Sequence, residues 1–144
     1  MLTVNLICSG TGKVKDTYYR EAWAEYEKRL SAYCKLKNIE VGESDDDIIN
    51  AIPKRSYVIA LCVNGKQLSS EELAKKIEDL EVQGNSEITL IIGPSDGFGK
   101  RVEDQADFKL SFSKMTFPHR LMRVILLEQL YRAMNINAGG KYHK

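Results

Sequence analysis

Two histidines are the side chains in this sequence best suited to proton transfer near neutral pH, and both lie in its last third. His119 follows Pro118 at the start of a predicted helix, where the positive end of the helix dipole favours a neutral ring that can accept a proton. His143 is the next-to-last residue, and by itself that position favours a frayed terminus. Both histidines are nevertheless candidate bases.

Three loops that follow predicted strands are candidates for holding a ligand. They are residues 62–67, 93–99 and 113–118. Open α/β sheets bind ligands outside the carboxyl ends of their strands, and the glycines of the second loop would let a backbone approach a ligand closely. That loop has neither the glycine spacing of a dinucleotide site nor the Walker pattern, so phosphate binding is weakly supported.

Two other motifs have residue types that suggest chemistry but are better explained by structure. The stretch Ser9-Gly10-Thr11-Gly12-Lys13 resembles a phosphate loop superficially, but its glycines are too close together. The three aspartates at 45–47 could bind a metal. However, Ser44 with Asp47 three residues later is typical of a capping box, and acids are favoured at a helix N-terminus. We therefore expect a helix start there and no metal.

Strands alternating with helices predict a parallel α/β sheet with flanking helices. Apolar or alternating runs predict strands at 2–8, 36–41, 57–63, 87–92 and 108–113. Helical spacing and capping residues predict helices at 15–35, after Ser44, at 69–84, weakly after 99, and from 116–118 to about 134. Asn64-Gly65 is expected to end the third strand in a turn. Without a repeat or a linker, residues 1–144 are interpreted as a single domain.

The last predicted helix leaves almost no face free of apolar residues. Its apolar residues are Leu121, Met122, Val124, Ile125, Leu126, Leu127, Leu130, Tyr131 and Met134. A helix that is apolar all round must be covered on more than one side. One side can pack on the sheet, and a second copy of the chain is a plausible cover for the other. Burial inside the monomer is the alternative.

The composition excludes several classes of protein. Of 144 residues, 43% are hydrophobic and 28% charged, as in ordinary globular proteins rather than disordered or membrane-spanning ones. The net charge of +1 hides a gradient, because residues 42–97 carry −6 and residues 98–144 carry +5. A basic last third could orient the molecule on a polyanion, although chance distribution of charge explains it equally well.

The three cysteines indicate a reducing compartment. Cys8, Cys34 and Cys62 are odd in number, widely spaced and set among apolar residues, so neither a disulfide framework nor a zinc site is indicated. They are expected to be small buried hydrophobes. The N-terminal apolar run lacks a basic region before it, and we expect a cytoplasmic protein that does not enter the membrane.

Several segments together closely resemble one family, the SPOUT-class methyltransferases that modify N3 of a pseudouridine in bacterial large-subunit ribosomal RNA. The most specific are Ser111-Phe112-Ser113-Lys114-Met115-Thr116-Phe117-Pro118-His119, the helix that follows to residue 133, and Tyr142-His143-Lys144. The resemblance continues through 65–72, the Ile92-Gly93 loop and 26–30, so it covers nearly the whole chain.

The resemblance implies a parallel α/β fold whose C-terminal part forms a deep trefoil knot, an exception to the usual unknotted topology. It also implies that S-adenosylmethionine binds among the three loops. Carried over by position, the cofactor-binding residues would be Leu61, Gly93, Phe112, Ser113, Lys114, Met115, Thr116 and Phe117. Apolar walls with loop amides suit an adenine ring.

The same resemblance implies a homodimer in which the tail of one subunit reaches the cofactor of the other. His143 would then be the base or the residue that positions it, with Tyr142 orienting the uracil ring and His119 as the reserve base. The basic residues Lys141, Lys144 and Arg120 would contact RNA phosphates. With a net charge of only +1, the chain is expected to act on the assembled ribosome rather than on naked RNA.

The chain departs from the family pattern at four places. The segment between Val41 and Tyr57 is short, Cys62 replaces a commonly acidic residue, Pro94 stands where a second glycine is usual, and Lys141 stands where proline is common. The altered cofactor loop leaves open a noncatalytic ribosome-binding protein that keeps the knot. A nucleotide-binding domain of the flavodoxin type is disfavoured, because the phosphate loop is missing.

Overall fold

The computed structural model describes residues 1–10 and 16–144 of the chain. It contains five strands, β1 (Thr3–Ser9), β2 (Lys35–Val41), β3 (Tyr57–Gln67), β4 (Glu87–Ile92) and β5 (Phe108–Ser111). They form one parallel sheet in the order β2-β1-β4-β3-β5. Thr11, Gly12 and Lys13 of the stretch that resembles a phosphate loop lie outside the described residues.

Five helices alternate with the strands, and their starts follow local capping chemistry. They are α1 (Thr17–Leu30), α2 (Asp45–Ala51), α3 (Ser70–Val82), α4 (Lys100–Gln105) and α5 (His119–Asn137). Reciprocal capping boxes join Ser44 with Asp47 and Ser69 with Glu72, and each satisfies backbone N–H groups at a helix start. The helical interpretation of the three aspartates is confirmed. Among the described residues, no cluster of three or more metal-ligating side chains occurs.

The sheet separates two apolar layers, because successive strand residues point to opposite faces. On β1, Leu6 packs into the larger core with α1, α3 and α5, whereas Ile7 packs into the smaller core with α2 and α4. The predicted parallel sheet flanked by helices is confirmed. The trefoil knot stays a prediction.

The third strand does not end at Asn64-Gly65, contrary to the expectation from the sequence. β3 continues to Gln67, and its register with β5 shifts between Leu61 and Lys66. A Cβ built at Gly65 would lie 2.7 Å from the carbonyl oxygen of Lys109. Glycine is therefore needed because β5 passes very close to this backbone, and not because the chain turns.

Replacing Gly65 is expected to destabilise the fold. In Gly65→Ala the new methyl group would collide with backbone atoms of Lys109 and Leu110, which cannot move aside as a flexible side chain would. We expect a loss of about 2 kcal/mol, or roughly 5–8 °C in Tm, in thermal unfolding followed by circular dichroism. Val63→Thr is the control, since Val63 is on the same strand and 52% exposed. An unchanged Tm for Gly65→Ala would show that β5 does not approach this closely.

The last helix is covered on both sides by helices of the same chain. α1 and α3 flank α5, whose buried residues Leu126, Leu127 and Leu130 belong to the larger core. Its apolar character alone therefore does not require a second copy, and the homodimer stays a prediction. No helix within residues 1–10 and 16–144 combines the length and apolar character needed to cross a bilayer.

Candidate functional site

A cleft of about 360 Å³ lies at the carboxyl ends of β3, β4 and β5. Because these strands are parallel and adjacent, the loops that follow them meet at the same edge of the sheet. The cleft contains parts of all three segments singled out in the sequence. The expectation that 62–67 is a loop is wrong, because the structure places these residues within β3. Every residue that the resemblance assigned to the cofactor lines this cleft, with the exception of Lys114.

The walls of the cleft are largely apolar, with a polar rim. Ile92 and Phe112 stand at or just beyond the ends of β4 and β5, and Leu61 follows the last residue of β3 that pairs with β4. Asp96 and Glu103 contribute carboxylates. Such a combination of apolar walls and a few polar groups is typical of a small-molecule site. A flat heterocycle could pack between the apolar side chains while the loop amides bind its polar edge.

Two serines hold the loop after β5 in place. The buried Ser111 hydroxyl lies 2.9 Å from the carbonyl oxygens of both Val63 and Ser113, so it links the second half of β3 to the loop that follows β5. The Ser113 hydroxyl accepts a hydrogen bond from the backbone N–H of Met115 at 3.0 Å. These contacts preorganise the 113–117 segment.

The loop after β4 is fixed by a turn and by a residue far away in the sequence. Gly97 donates its backbone N–H to the carbonyl oxygen of Pro94 at 2.8 Å, and Gly97 has a positive φ of 80°. At the end of the loop, the backbone N–H of Gly99 donates to Oδ1 of Asp45 at 2.9 Å. Gly99 precedes α4 and has no side chain to cap it. The Asp45 carboxylate, on the neighbouring helix α2, therefore accepts a backbone hydrogen bond at the start of α4.

His119 lies in the cleft wall, at the first residue of α5. Its Nε2 is 3.1 Å from the carbonyl oxygen of Gly10, which can only accept a hydrogen bond. Nε2 therefore carries a hydrogen and donates it to this carbonyl.

Cys62 stands in the cleft wall where the family commonly has an acid. Burial raises the pKa of its thiol to about 11, so the side chain is uncharged at neutral pH. Cys8 and Cys34 are buried, and burial likewise raises the pKa of the Cys34 thiol to about 11. The expectation of buried cysteines is confirmed for Cys8 and Cys34, whereas Cys62 is only half-buried.

The C-terminal tail packs against its own helices and does not line the cleft. The backbone N–H of Tyr142 donates to Oδ1 of Asn135 at 3.1 Å, and its ring meets Tyr131 edge-on at 4.8 Å. His143 contacts Glu71 and Arg132 through its two ring nitrogens. The terminus is thus ordered by specific contacts, and the frayed-terminus interpretation is wrong for these residues.

Two ionisable groups in or against the tail are shifted by these contacts. Burial raises the pKa of the Tyr142 phenol, which stays a hydrogen-bond donor at neutral pH. The hydrogen bond from His143 lowers the pKa of the Glu71 carboxyl. A carboxyl with a depressed pKa is charged throughout the neutral range, and its contact weakens only as the pH falls into the acid range.

The basic residues suggested for RNA binding lie in different surroundings. Lys141 and Lys144 are exposed in the tail. Arg120 is half-buried, and its Nε lacks a hydrogen-bond partner among the described residues. Arg123, also in this helix, is buried in an ion pair with Glu40 at 2.8 Å and stacks on Trp23. Arg123 therefore secures the start of α5 against α1 and β2.

Sequence reasoning missed the residues that hold the loops and the tail. Asp45 was interpreted only as part of a helix start, and Glu71 only as part of a helix opening. Their partners Gly99 and His143 are 54 and 72 residues away. The sequence held one signal of these contacts. Asp45 and Glu71 are first-turn carboxylates that the two capping boxes do not use.

Comparison with known proteins agrees with this geometry. The family model described as "Predicted SPOUT methyltransferase" matches residues 2–143. The chain belongs to the SPOUT methyltransferase family. It is therefore a member of a family of enzymes, and the flavodoxin-type alternative is excluded.

Relatives in this family match the chain from end to end. The "Ribosomal RNA large subunit methyltransferase H" of Clostridium novyi (strain NT) is 50% identical over 161 aligned positions, covering 99% of this chain and 100% of that protein. The protein of the same name from Bifidobacterium adolescentis is 52% identical and covers 92% of this chain and 95% of its own. Because the first alignment has more positions than this chain has residues, that relative contains residues that this chain lacks.

Solved structures share the fold at low sequence identity. TrmJ from Z. mobilis ZM4 has a TM-score of 0.54 at 10% identity, with coverage of 92% of this chain and 70% of that one. The SpoU methyltransferase AviRb from Streptomyces viridochromogenes, solved in complex with the cofactor AdoMet, has a TM-score of 0.51 at 9% identity, covering 96% and 61%. These likenesses extend the SPOUT assignment to the three-dimensional fold.

Proposed function

We propose that this chain transfers a methyl group from S-adenosylmethionine to N3 of a pseudouridine in large-subunit ribosomal RNA. One observation carries the proposal: relatives named for methylation of large-subunit ribosomal RNA match the whole chain at about half identity. The cleft at the ends of β3, β4 and β5 is the site that we assign to the reaction.

The cleft suits S-adenosylmethionine in size and in chemistry. Its volume of about 360 Å³ falls in the range of small-molecule sites. Leu61, Phe112 and Phe117 provide apolar surface for the purine, and we assign the backbone of Gly93 and of 112–117 to its polar groups. Bound there, S-adenosylmethionine would supply a methyl group on a positively charged sulfur, suited to in-line attack by a ring nitrogen.

Asp45 is expected to support cofactor binding through the loop after β4. In Asp45→Ala the Gly99 N–H loses its carboxylate partner, and the 93–99 loop loses its anchor on α2. We expect Kd for S-adenosylmethionine to rise by about 3- to 10-fold in titration calorimetry, in line with the usual cost of losing a cap. Asp46→Ala is the matched control, because its exposed ion pair with Arg101 contributes little. Equal Kd values for the two variants would contradict the anchoring role.

The acceptor N3 must lose its proton as the new bond forms. We assign removal of this proton to His143 of the tail. We assign orientation of the uracil ring to Tyr142, whose raised pKa keeps its phenol protonated. His119 is the alternative base, because it lines the cleft and its contact with Gly10 occupies Nε2 rather than Nδ1. Proton removal and alignment are then the protein's main contributions to the rate.

A second subunit reconciles the tail with the cleft. In one chain Tyr142 and His143 pack on α5 and α3 rather than in the cleft, so a tail that serves the reaction either moves or belongs to a partner. Because specific contacts hold the tail on its own helices, we infer that it serves the cleft of a partner subunit. We therefore propose a knotted homodimer with composite sites. The exposed apolar side chains of Met115 and Leu121, near the cleft and the start of α5, are suited to such an interface.

The assembled ribosome is the proposed substrate, which also places the reaction in the cytoplasm. A net charge of +1 gives little nonspecific attraction to naked RNA. Lys141, Lys144 and Arg120 would contact phosphates and position the RNA without reading its sequence. Shape presented by the ribosome would then supply much of the recognition.

Transfer of labelled methyl groups tests this function. Purified protein is incubated with labelled S-adenosylmethionine and either ribosomes that lack the modification or protein-free large-subunit RNA. We expect label at N3 of a pseudouridine, identified by mass spectrometry of digested RNA, and much faster labelling of ribosomes. No labelling by a protein that binds the cofactor would contradict the proposed substrate. No cofactor binding at all would favour a noncatalytic ribosome-binding protein.

A further inference from the structure

The imidazole of His143 is held from two sides by charged residues of two helices. Its Nε2 contacts Oε1 of Glu71 in the first turn of α3, and its Nδ1 lies 3.0 Å from a terminal nitrogen of Arg132 on α5. Arg132 is itself fixed by Glu128, with 2.7 Å between Nε and Oε1. The His143 and Arg132 side chains are each 24% exposed, so the ring is well enclosed.

These partners leave one arrangement of protons on the ring. A guanidinium can only donate hydrogen bonds, so Nδ1 must offer its lone pair to Arg132. A carboxylate can only accept, so Nε2 must carry the hydrogen that points to Glu71. His143 is therefore the neutral Nε2–H tautomer, and neither nitrogen is open to a substrate while both contacts are made.

We propose that Glu71 is a positioning residue that orients His143, so that Nδ1 is the nitrogen that takes the proton from the substrate. The inference rests on the proposed function, since it concerns how the tail histidine serves methyl transfer. Arg132 covers Nδ1 in the chain as it stands, and the substrate N3–H replaces it there. Arg132 keeps its contacts with Glu128 and its stacking on the Tyr142 ring at 4.7 Å when it gives up Nδ1.

The proton and the electrons balance in this step. The N3–H bond breaks and its proton moves to Nδ1, while the N3 electron pair forms the bond to the methyl carbon and the carbon–sulfur pair returns to sulfur. The resulting imidazolium still directs Nε2–H at the Glu71 carboxylate, which stabilises the new positive charge. A carboxylate supports the histidine of a serine hydrolase triad in the same way. Glu71 thus touches neither substrate nor cofactor.

Two neighbouring carboxylates provide matched variants. Glu71 and Glu72 both lie in the first turn of α3, so each substitution by glutamine removes the same charge from the helix start. Glu72 accepts the backbone N–H of Ser69 at 2.8 Å, and glutamine can keep that bond. Of these two carboxylates, Glu71 is the one that contacts His143. Glu71→Ala completes the set by removing the hydrogen-bond acceptor altogether.

Turnover and the ring tautomer are measured together in these variants. We expect kcat to fall by about 10-fold in Glu71→Gln and about 100-fold in Glu71→Ala, with KM for S-adenosylmethionine unchanged and Glu72→Gln equal to wild type. Nitrogen-15 NMR of histidine-labelled protein should show protonated Nε2 for His143 in wild type, Glu72→Gln and Glu71→Gln. Glu71→Ala should shift the Nε2 signal, because Nε2–H has lost its acceptor, while Arg132 still faces Nδ1. His143→Ala assigns the signals.

The two readouts separate this inference from the proposed function. If methyl transfer proceeds and Glu71→Ala keeps both the wild-type kcat and the wild-type ring signals, the function stands and the role of Glu71 is overturned. If the wild-type protein transfers no methyl group to ribosomes, the proposed function fails, and the catalytic use of Nδ1 fails with it. The ring signals then still decide whether Glu71 orients His143.

Discussion

Removal of Tyr142, His143 and Lys144 is expected to lower methyl transfer to ribosomes by at least about 100-fold, the usual contribution of a general base. S-adenosylmethionine binding should change by less than about twofold, because the cleft is lined without any tail residue. The expected result is thus a protein that binds its cofactor normally and turns over almost none of it. Binding is measured by calorimetry, and turnover by label in ribosomal RNA.

The control for this truncation removes Lys144 alone, which is exposed and assigned only to a phosphate contact. That variant should keep most of the activity at low salt. Full activity of the longer truncation would contradict a role for the tail in the chemistry. Loss of cofactor binding on truncation would instead mean that the tail also helps to hold the cofactor.

Gly93→Ala is expected to weaken S-adenosylmethionine binding by about 10- to 100-fold, which is about 1.4–2.7 kcal/mol. A Cβ at this position would lie 2.7 Å from Cδ2 of the Phe98 ring and 3.3 Å from the Phe98 backbone nitrogen. Phe98 cannot simply rotate away, because its side chain packs against the smaller core between the sheet and helices α2 and α4. The loop must therefore move, and both residues line the cleft.

A second substitution tests whether that contact is the cause. Phe98→Leu shortens the opposing side chain and should restore part of the cofactor affinity of Gly93→Ala. Thermal unfolding of each variant checks that the fold is intact. Wild-type affinity of Gly93→Ala would show that the cofactor does not depend on the shape of this loop. An affinity loss that Phe98→Leu leaves unchanged would assign the loss to the Gly93 backbone itself.

The position of the cleft could be predicted from the sequence because it follows from sheet geometry. Once the strands that contain Leu61, Ile92 and Ser111 are recognised as parallel and adjacent, these positions must lie toward the same edge of the sheet. The capping boxes at Ser44 and Ser69 were equally predictable, since each is a contact between residues three apart. Capping contacts between near neighbours and the direction of strands can both be recognised from the sequence alone.

Contacts between distant segments could not be predicted in the same way. Asn64-Gly65 is a strong turn signal. Here, however, glycine is needed because β5 lies very close to its backbone, and that contact is known only from the folded sheet. The cap that Asp45 provides for α4 and the contact of Glu71 with His143 likewise depend on how helices are placed. The all-round apolar α5 was read correctly as needing two covers, but α1 and α3 supply them within the chain.

Mixing two impaired variants, at an S-adenosylmethionine concentration well below the weakened Kd of Gly93→Ala, tests most directly whether the cleft of one subunit works with the tail of another. Chains truncated before Tyr142 keep an intact cleft, and Gly93→Ala chains keep an intact tail. After random exchange of subunits, half of the dimers should be mixed with one complete site each, restoring about a quarter of wild-type methyl transfer to ribosomes. Mixed dimers are detected by giving the two variants different affinity tags. If they form but restore no activity, the composite site is contradicted and the tail acts within its own chain.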